Sequence, residues 1–155
     1  MEIISKSPEE TRKIGHRLAK ILKPGDLVLF YGDLGSGKTT LIQGICEGLE
    51  VRKDQYITSP TFTLLNFYEG IYPILHIDLY RIDPSTTYEL SIWEYLSSHI
   101  LLVEWAEKLN EIPVNDYLEI QLEYIEESMR KITFVGYGEW SQLLKELGKD
   151  EKSHR

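Results

Sequence analysis

The most informative feature of this chain is a glycine-rich run that fits the pattern G-x-x-x-x-G-K-[ST] at every fixed position. Its residues are Gly32, Asp33, Leu34, Gly35, Ser36, Gly37, Lys38 and Thr39, and Thr40 follows directly. Glycines let the backbone turn so that successive N–H groups face a phosphate, and the following helix directs its positive end at the same anion. Lys38 would reach the β- and γ-phosphates, and Thr39 would offer its hydroxyl to Mg²⁺. The run therefore predicts a P-loop that binds ATP with Mg²⁺.

Two carboxylates are candidates for the acid that a P-loop needs beside Mg²⁺. Asp78 lies in an alternating segment, 75–80, and Glu104 directly follows the apolar run 100–103. Ligands of open α/β sheets lie at the carboxyl ends of the strands, and a carboxylate that ends an apolar strand is costly to bury without a cation. Each acid could alternatively be a solvated residue at a strand end. Together with a P-loop, the pair favours phosphoryl-transfer chemistry.

Other polar residues give weaker signals. His76 is more simply a packed or hydrogen-bonded strand histidine than a catalytic one. The segment Ser59-Pro60-Thr61-Phe62 follows the P-loop helix, where P-loop proteins often have a phosphate-sensing switch, but it could equally be a turn fixed by proline. Trp105 is adjacent to Glu104, and ordinary core packing would also explain it.

The elements around these residues alternate between strands and helices. Apolar and β-branched runs predict strands at 3–4, 27–31, 61–68, 74–80, 100–103, 118–122 and 132–135. Capping signals and helical spacing predict helices that begin after Ser7 and Thr86, with Glu10 and Glu89 completing capping boxes, and further helices at 38–49 and 140–147. The strand before the glycine-rich run and the helix after it argue against a chance match to the P-loop pattern.

This order predicts an α/β fold, a three-layer P-loop NTPase-like architecture with a mixed, mainly parallel sheet. The segments 118–122 and 132–135 are predicted to form an antiparallel hairpin at the edge of that sheet. We expect one ATPase domain over 1–148 and a charged, flexible tail over 149–155.

Composition narrows the classes of function. The net charge is −8, from 17 basic and 25 acidic residues, without an evident cluster of Lys and Arg. Direct, strong binding of RNA or DNA is therefore disfavoured, because such proteins usually displace phosphate counterions with a basic patch. The single cysteine, Cys46, excludes an intramolecular disulfide. With neither a signal-peptide pattern nor a membrane-length apolar run, we expect a cytoplasmic location.

Four motifs occur in an order that resembles one family. They are Gly-Asp-Leu-Gly-Ser-Gly-Lys-Thr-Thr (32–40), Ser-Pro-Thr-Phe (59–62), His-Ile-Asp-Leu-Tyr-Arg (76–81) and Val-Glu-Trp-Ala-Glu (103–107). Many families share the P-loop. The motifs at 76–81 and 103–107, in this order and at this spacing, are far more specific. The chain resembles the TsaE family, also called YjeE, over about 5–148.

The resemblance implies a small bacterial ATPase that is required to make threonylcarbamoyladenosine at position 37 of tRNAs reading codons that start with A. It implies two protein partners, TsaB and TsaD, of which TsaD carries out the transfer to tRNA. ATP hydrolysis would drive or reset the assembly between turnovers, and tRNA would be reached only through the complex. ATPase activity would be slow in the isolated protein and stimulated by the partners.

The resemblance also implies roles for individual residues. Lys38 and Thr39 would hold phosphate and Mg²⁺, and Asp78 would be the Walker-B-like acid. Glu104 would hold Mg²⁺ or its water and help to activate the attacking water. Further assignments place Thr61 at the γ-phosphate, Trp105 beside the nucleotide and Thr11 near the adenine.

Three other functions compete with this one. A small-molecule P-loop kinase usually clamps the transferred phosphate with several lid arginines, but Arg130 is the one arginine between Ile82 and His154. A GTPase-like switch would carry an Asn-Lys-x-Asp element, which this sequence lacks. An interaction protein with an inactive P-loop is disfavoured because Lys38 and the two acids are intact.

Overall fold

The computed structural model describes residues 1–33, 35–55, 64–85 and 91–153, with side chains up to 148. Seven strands are present in these ranges: β1 (Glu2–Ser5), β2 (Leu27–Tyr31), β3 (Leu65–Glu69), β4 (Pro73–Asp78), β5 (Ile100–Glu104), β6 (Tyr117–Glu126) and β7 (Met129–Tyr137). Three α-helices accompany them: α1 (Pro8–Ala19), α2 (Lys38–Gly48) and α3 (Trp140–Ser153). Short 3₁₀ turns include Ile92–Tyr95 and Ala106–Lys108.

The strands form one mixed sheet in the order β1-β7-β6-β2-β5-β4-β3. The four central strands, β6, β2, β5 and β4, are parallel neighbours. Antiparallel pairs extend the sheet on both sides, through β7 and β1 at one edge and β3 at the other. The α/β class and the predicted hairpin are confirmed, and β1 lies outside the hairpin as the edge strand. The P-loop strand β2 is therefore central, and β5, which ends at Glu104, lies beside it.

The two faces of the sheet are covered differently. All three helices pack on one face, where apolar residues of α1, α2 and α3 meet those of the strands. Short turns and loops cover the second face, with Ile92 and Ala106 as their buried residues. In the described ranges, no helix is both long and apolar enough to cross a bilayer.

Helices α1 and α2 cross at very short range because glycines lie at the contact. A Cβ at Gly44 would come within 2.4 Å of the Arg12 carbonyl oxygen, and one at Gly15 within 2.6 Å of the Ile45 nitrogen. Ser7 caps α1 by accepting the Glu10 N–H at 3.1 Å, as predicted. The Glu10 carboxylate accepts from the N–H of Lys6 and not from that of Ser7. This packing fixes α2, and with it the end of the phosphate loop, against the rest of the domain.

Several boundaries differ from the sequence-based expectation. Helix α3 continues six residues past Leu147, to Ser153, where Lys149, Glu151 and Lys152 are good helix formers. Strand β4 ends at Asp78 and not at Tyr80, whose backbone N–H bonds the Asp78 carboxylate. Of the helix predicted to begin after Thr86, the described part is a 3₁₀ turn over Ile92–Tyr95. Its capping box, Thr86 and Glu89, lies outside the described residues.

Candidate nucleotide site

The phosphate loop connects the buried strand β2 to the N-terminus of α2. All three of its glycines have backbone angles that side chains rarely adopt: φ is 148° at Gly32, 81° at Gly35 and 103° at Gly37, the N-cap of α2. A Cβ at Gly32 would also lie 2.6 Å from the Leu122 carbonyl oxygen on β6. The loop thus needs glycine for two independent reasons, left-handed backbone geometry and close approach to the neighbouring strand.

Lys38 occupies the centre of the site. Its Nζ donates to the Gly32 carbonyl at 2.5 Å, and so spans the phosphate loop from end to end. The ammonium lies 3.9 Å from the centroid of the Trp105 ring, a cation–π contact. Burial lowers the pKa of Lys38, and nearby carboxylates oppose that shift; they belong to Glu104, Glu107, Asp78 and Asp33. The acids around the loop therefore favour the charged form of Lys38 and oppose the effect of its burial.

Asp78 and Glu104 end neighbouring parallel strands at the same level of the sheet. Their Cα atoms are register partners in the β4–β5 pair, and Glu104 is level with Phe30 of β2. Burial raises the pKa of Asp78; the Tyr80 N–H opposes this shift, whereas the Glu104 charge adds to it. The two carboxylates predicted from separate motifs are therefore brought together beside Lys38. Such a pair suits Mg²⁺, which takes one or two carboxylates and completes its shell with phosphate and water oxygens.

His76 is a buried and hydrogen-bonded strand residue, in agreement with the sequence analysis, and its partner is Glu104. The His76 Nε2 and Glu104 Oε2 atoms are 2.6 Å apart, and each side chain is only 5% exposed. An ionised carboxylate can only accept, so Nε2 would be the donor to it, and the Nδ1 atom lies 3.4 Å from the Tyr68 hydroxyl. This chain of contacts uses one oxygen of Glu104 and fixes the direction of the other.

Replacing His76 should therefore reduce turnover without weakening nucleotide binding. His76→Phe removes the donor to Glu104, and we expect kcat for ATP hydrolysis to fall by about 10- to 100-fold, as for other residues that orient a reactive carboxylate. His76→Gln keeps an N–H donor and should recover most of that loss, and Tyr68→Phe should have the smallest effect. Steady-state ATPase assays with calorimetric Kd values test this. Normal kcat in His76→Phe would show that the contact is only structural.

Trp105 joins the phosphate loop to the acid-bearing strand. It has a left-handed backbone angle, φ 58°, which is unusual for a bulky residue and turns the chain sharply after Glu104. Its ring lies 4.9 Å from the ring of Tyr80 and also contacts Lys38. Positions of this kind concentrate at functional sites, where surrounding contacts hold the strained backbone.

The remaining predicted site residues differ in their burial and contacts. Thr39 and Thr40 lie half-buried in the first turn of α2, and Ser36 is buried with an Oγ that has no hydrogen-bond partner among the described residues. The Thr11 hydroxyl is buried against Ser5 Oγ at 2.6 Å, so it faces β1. Gly35 and Asp33 are exposed on the loop. Leu34, Thr61 and the whole 59–62 segment lie outside the described residues.

Two cations near the loop were missed by the sequence analysis. Arg130 of β7 lies against the phosphate loop, with its Nε 3.9 Å from where a Cβ of Gly37 would be. Its NH1 group donates to carbonyls of the β6–β7 turn and its guanidinium covers the Tyr124 ring at 4.7 Å. Lys108 donates to the Tyr80 carbonyl. No sequence pattern marks either residue: Arg130 reaches the loop through the pairing of β7 with β6, and Lys108 lies in the turn Ala106–Lys108 after β5.

A surface cavity of about 490 Å³ lies beside the phosphate loop on the second face of the sheet. Loop residues, the ends of β2 and β6 and the turn after β5 line it: Tyr31, Gly32, Asp33, Ser36, Glu107, Gln121, Leu122, Glu123 and Tyr124. Three of these residues are acidic. We call this feature the acidic cavity.

Comparison with known proteins identifies close relatives of this chain. The family model described as "Threonylcarbamoyl adenosine biosynthesis protein TsaE" matches residues 5–132. The protein named tRNA threonylcarbamoyladenosine biosynthesis protein TsaE in Bacillus subtilis is 36% identical over 148 residues, which are 94% of this chain and 92% of the relative. The protein of the same name in Nostoc is 40% identical over 79% of this chain and 78% of its own length.

A solved structure shows the same fold. The crystal structure of YdiB from Bacillus subtilis superposes with a TM-score of 0.77 at 34% sequence identity, covering 97% of this chain and 95% of that one. The similarity thus includes the phosphate loop, the acid-bearing strands and the β6–β7 hairpin in one continuous match.

Proposed function

This chain belongs to the TsaE family, and we propose that it binds ATP with Mg²⁺ and hydrolyses it as an accessory step in forming threonylcarbamoyladenosine on tRNA. The observation that carries the proposal is the convergence of Lys38, Asp78 and Glu104 at the carboxyl ends of three adjacent parallel strands. The names of the relatives support a role in threonylcarbamoyladenosine formation, and the geometry of the site supports ATP hydrolysis.

Each residue of the site would have a distinct task. Lys38 would leave the Gly32 carbonyl to bind the β- and γ-phosphates, while loop N–H groups and the α2 N-terminus stabilise the same charge. Thr39 and Asp78 would hold Mg²⁺, which neutralises charge that develops on the phosphates. Glu104, oriented by His76, would accept a proton from the attacking water through its second oxygen.

Three further assignments are proposals that rest on the family pattern. Thr61 would sense the γ-phosphate, and Leu34 would contribute its backbone to the loop. Thr11 would lie near the adenine. Its hydroxyl is hydrogen-bonded to Ser5, so other atoms at that end of α1 would contact the base.

A small-molecule kinase is the alternative that the site supports less well. Kinases of this type use several arginines on the transferred phosphate, whereas the Arg130 NH1 group here is occupied by three backbone carbonyls. The protein would work instead as an accessory ATPase in the cytoplasm, with TsaB and TsaD as partners. The net charge of −8 supports indirect access to tRNA, because an acidic surface repels phosphates.

The test of this function is an ATPase assay of the protein alone and with TsaB and TsaD. We expect slow turnover of the isolated chain and stimulation of about 10-fold or more by the partners, since regulated P-loop enzymes often await a residue or an ordering event from another protein. Weak tRNA binding by the isolated chain near physiological salt should accompany this result. An unstimulated rate, or tight and salt-sensitive tRNA binding, would contradict the proposal.

A further inference from the structure

The chain that follows β4 is held by side chains from the turn that follows β5. Lys108 donates to the Tyr80 carbonyl, and the Asn110 side-chain amide donates to the Pro84 carbonyl at 2.7 Å. Lys108 ends the turn Ala106–Lys108, and Asn110 lies two residues beyond it. Two separate donors therefore connect the ends of the two acid-bearing strands outside the sheet itself.

Tyr80 is the residue through which this connection reaches the candidate site. Its backbone N–H donates to the Asp78 Oδ1 atom at 2.9 Å, and its carbonyl accepts from Lys108. One residue thus joins a candidate Mg²⁺ ligand to an ammonium through its two polar backbone groups. Asp78 is partly exposed, unlike Glu104, which is buried. Packing therefore restricts the Asp78 carboxylate less, and its hydrogen bond to Tyr80 matters more for its orientation.

The side chains of the same region form a stack in which cations and rings alternate. The Lys108 ammonium lies 5.9 Å from the centroid of the Tyr80 ring. The Tyr80 ring lies 4.9 Å from that of Trp105, whose ring in turn contacts the Lys38 ammonium. Lys108 is therefore placed to stabilise Tyr80 at its ring as well as at its carbonyl.

We propose that Lys108 is a positioning residue for Asp78: by fixing Tyr80, it holds the Asp78 carboxylate in the direction that Mg²⁺ requires. This inference rests on the proposed function, which gives Asp78 the task of holding the metal. A ligand that is oriented before the cation binds loses less conformational entropy on binding, so its affinity is higher. The alternative is direct contact between Lys108 and a phosphate, but this ammonium already donates to the Tyr80 carbonyl.

Lys108→Met tests the inference, because it keeps the length of the side chain and removes the donor. Lys108 is partly exposed, so the fold should survive. Calorimetry with a non-hydrolysable ATP analogue, in Mg²⁺ and in EDTA, gives the gain in affinity that Mg²⁺ causes. We expect this gain to fall by about 10-fold in Lys108→Met, as for other groups that orient metal ligands, while the affinity in EDTA stays that of the wild type.

Two further variants serve as controls in the same titrations. Lys108→Arg keeps a cationic donor and should recover most of the gain that Mg²⁺ causes. Lys145→Met removes an exposed lysine of α3 and should behave like the wild type. A second measurement needs no nucleotide: amide hydrogen exchange of Tyr80 should be faster in Lys108→Met than in either control, because the bond to Asp78 opens more often.

The results separate this inference from the proposed function. A wild type that gains no affinity from Mg²⁺ would contradict both. If the wild type gains affinity and Lys108→Met gains as much, only the inference is overturned. Equal losses in Mg²⁺ and in EDTA would also overturn it, because Lys108 would then contact the phosphates directly. Unchanged exchange of the Tyr80 amide in Lys108→Met would overturn it whatever the nucleotide affinities are.

Discussion

Lys38→Ala is expected to abolish measurable ATP binding. The Lys38 side chain is buried, its ammonium spans the phosphate loop to the Gly32 carbonyl, and four carboxylates lie around it, so its removal leaves an acidic site facing the phosphates. Truncating one partner of a buried charge pair costs about 2–5 kcal/mol, which is at least about 30-fold in Kd. Isothermal titration calorimetry with ATP and Mg²⁺ measures this directly.

The nearby cations should not compensate for this loss. Arg130 is bonded to carbonyls of its own turn, and Lys108 is bonded to the Tyr80 carbonyl. Lys145→Ala, which removes an exposed lysine of α3, is the matched control and should bind ATP normally. In the same titrations the wild type should prefer ATP to GTP, since the sequence lacks a guanine-reading element. Retained binding by Lys38→Ala, or equal affinity for both nucleotides, would contradict this part of the account.

Asp78→Asn and Glu104→Gln should each reduce ATP hydrolysis by on the order of 10²-fold or more. Both substitutions keep the size of the side chain and remove the charge that would balance Mg²⁺ or accept the proton of water. In Glu104→Gln the new side-chain amide still has a carbonyl oxygen that can accept from His76, so the fold should survive. Turnover at saturating ATP, with circular dichroism as the check on folding, measures the effect.

Glu69→Gln is the matched control for these two variants. Glu69 also ends a strand, but β3 runs antiparallel to β4, so this residue pairs with Pro73 at the opposite end of the sheet. The Glu69→Gln variant should hydrolyse ATP at the rate of the wild type. If either Asp78→Asn or Glu104→Gln did so as well, that residue would have to be removed from the mechanism.

Local signals were sufficient to predict much of the site. The P-loop pattern, the apolar strand before it and the two strand-end acids each involve residues close in sequence. Parallel pairing then determines that Asp78 and Glu104 meet, because neighbouring parallel strands end at the same edge of the sheet. For these residues, the type and spacing of the side chains predicted the geometry that the structure has, and their chemical roles stay predictions.

The parts that could not be predicted depend on long-range register. Arg130 reaches Gly37 only because β7 pairs with β6, which lies beside the P-loop strand. The contact between His76 and Glu104 likewise requires the β4–β5 pairing, and so the sequence predicts a packed or hydrogen-bonded histidine without identifying Glu104 as its partner. The acidic cavity combines side chains from three separate segments, none of which is distinctive alone.

The most direct test of the central claim is a reconstituted tRNA modification assay with TsaB and TsaD, followed over many turnovers. The account predicts that wild-type protein sustains formation of threonylcarbamoyladenosine while consuming ATP. With Lys38→Ala in its place, product formation should stop early although the other proteins are unchanged. Modification that continues through many turnovers with Lys38→Ala would contradict the claim that ATP bound at this phosphate loop is required.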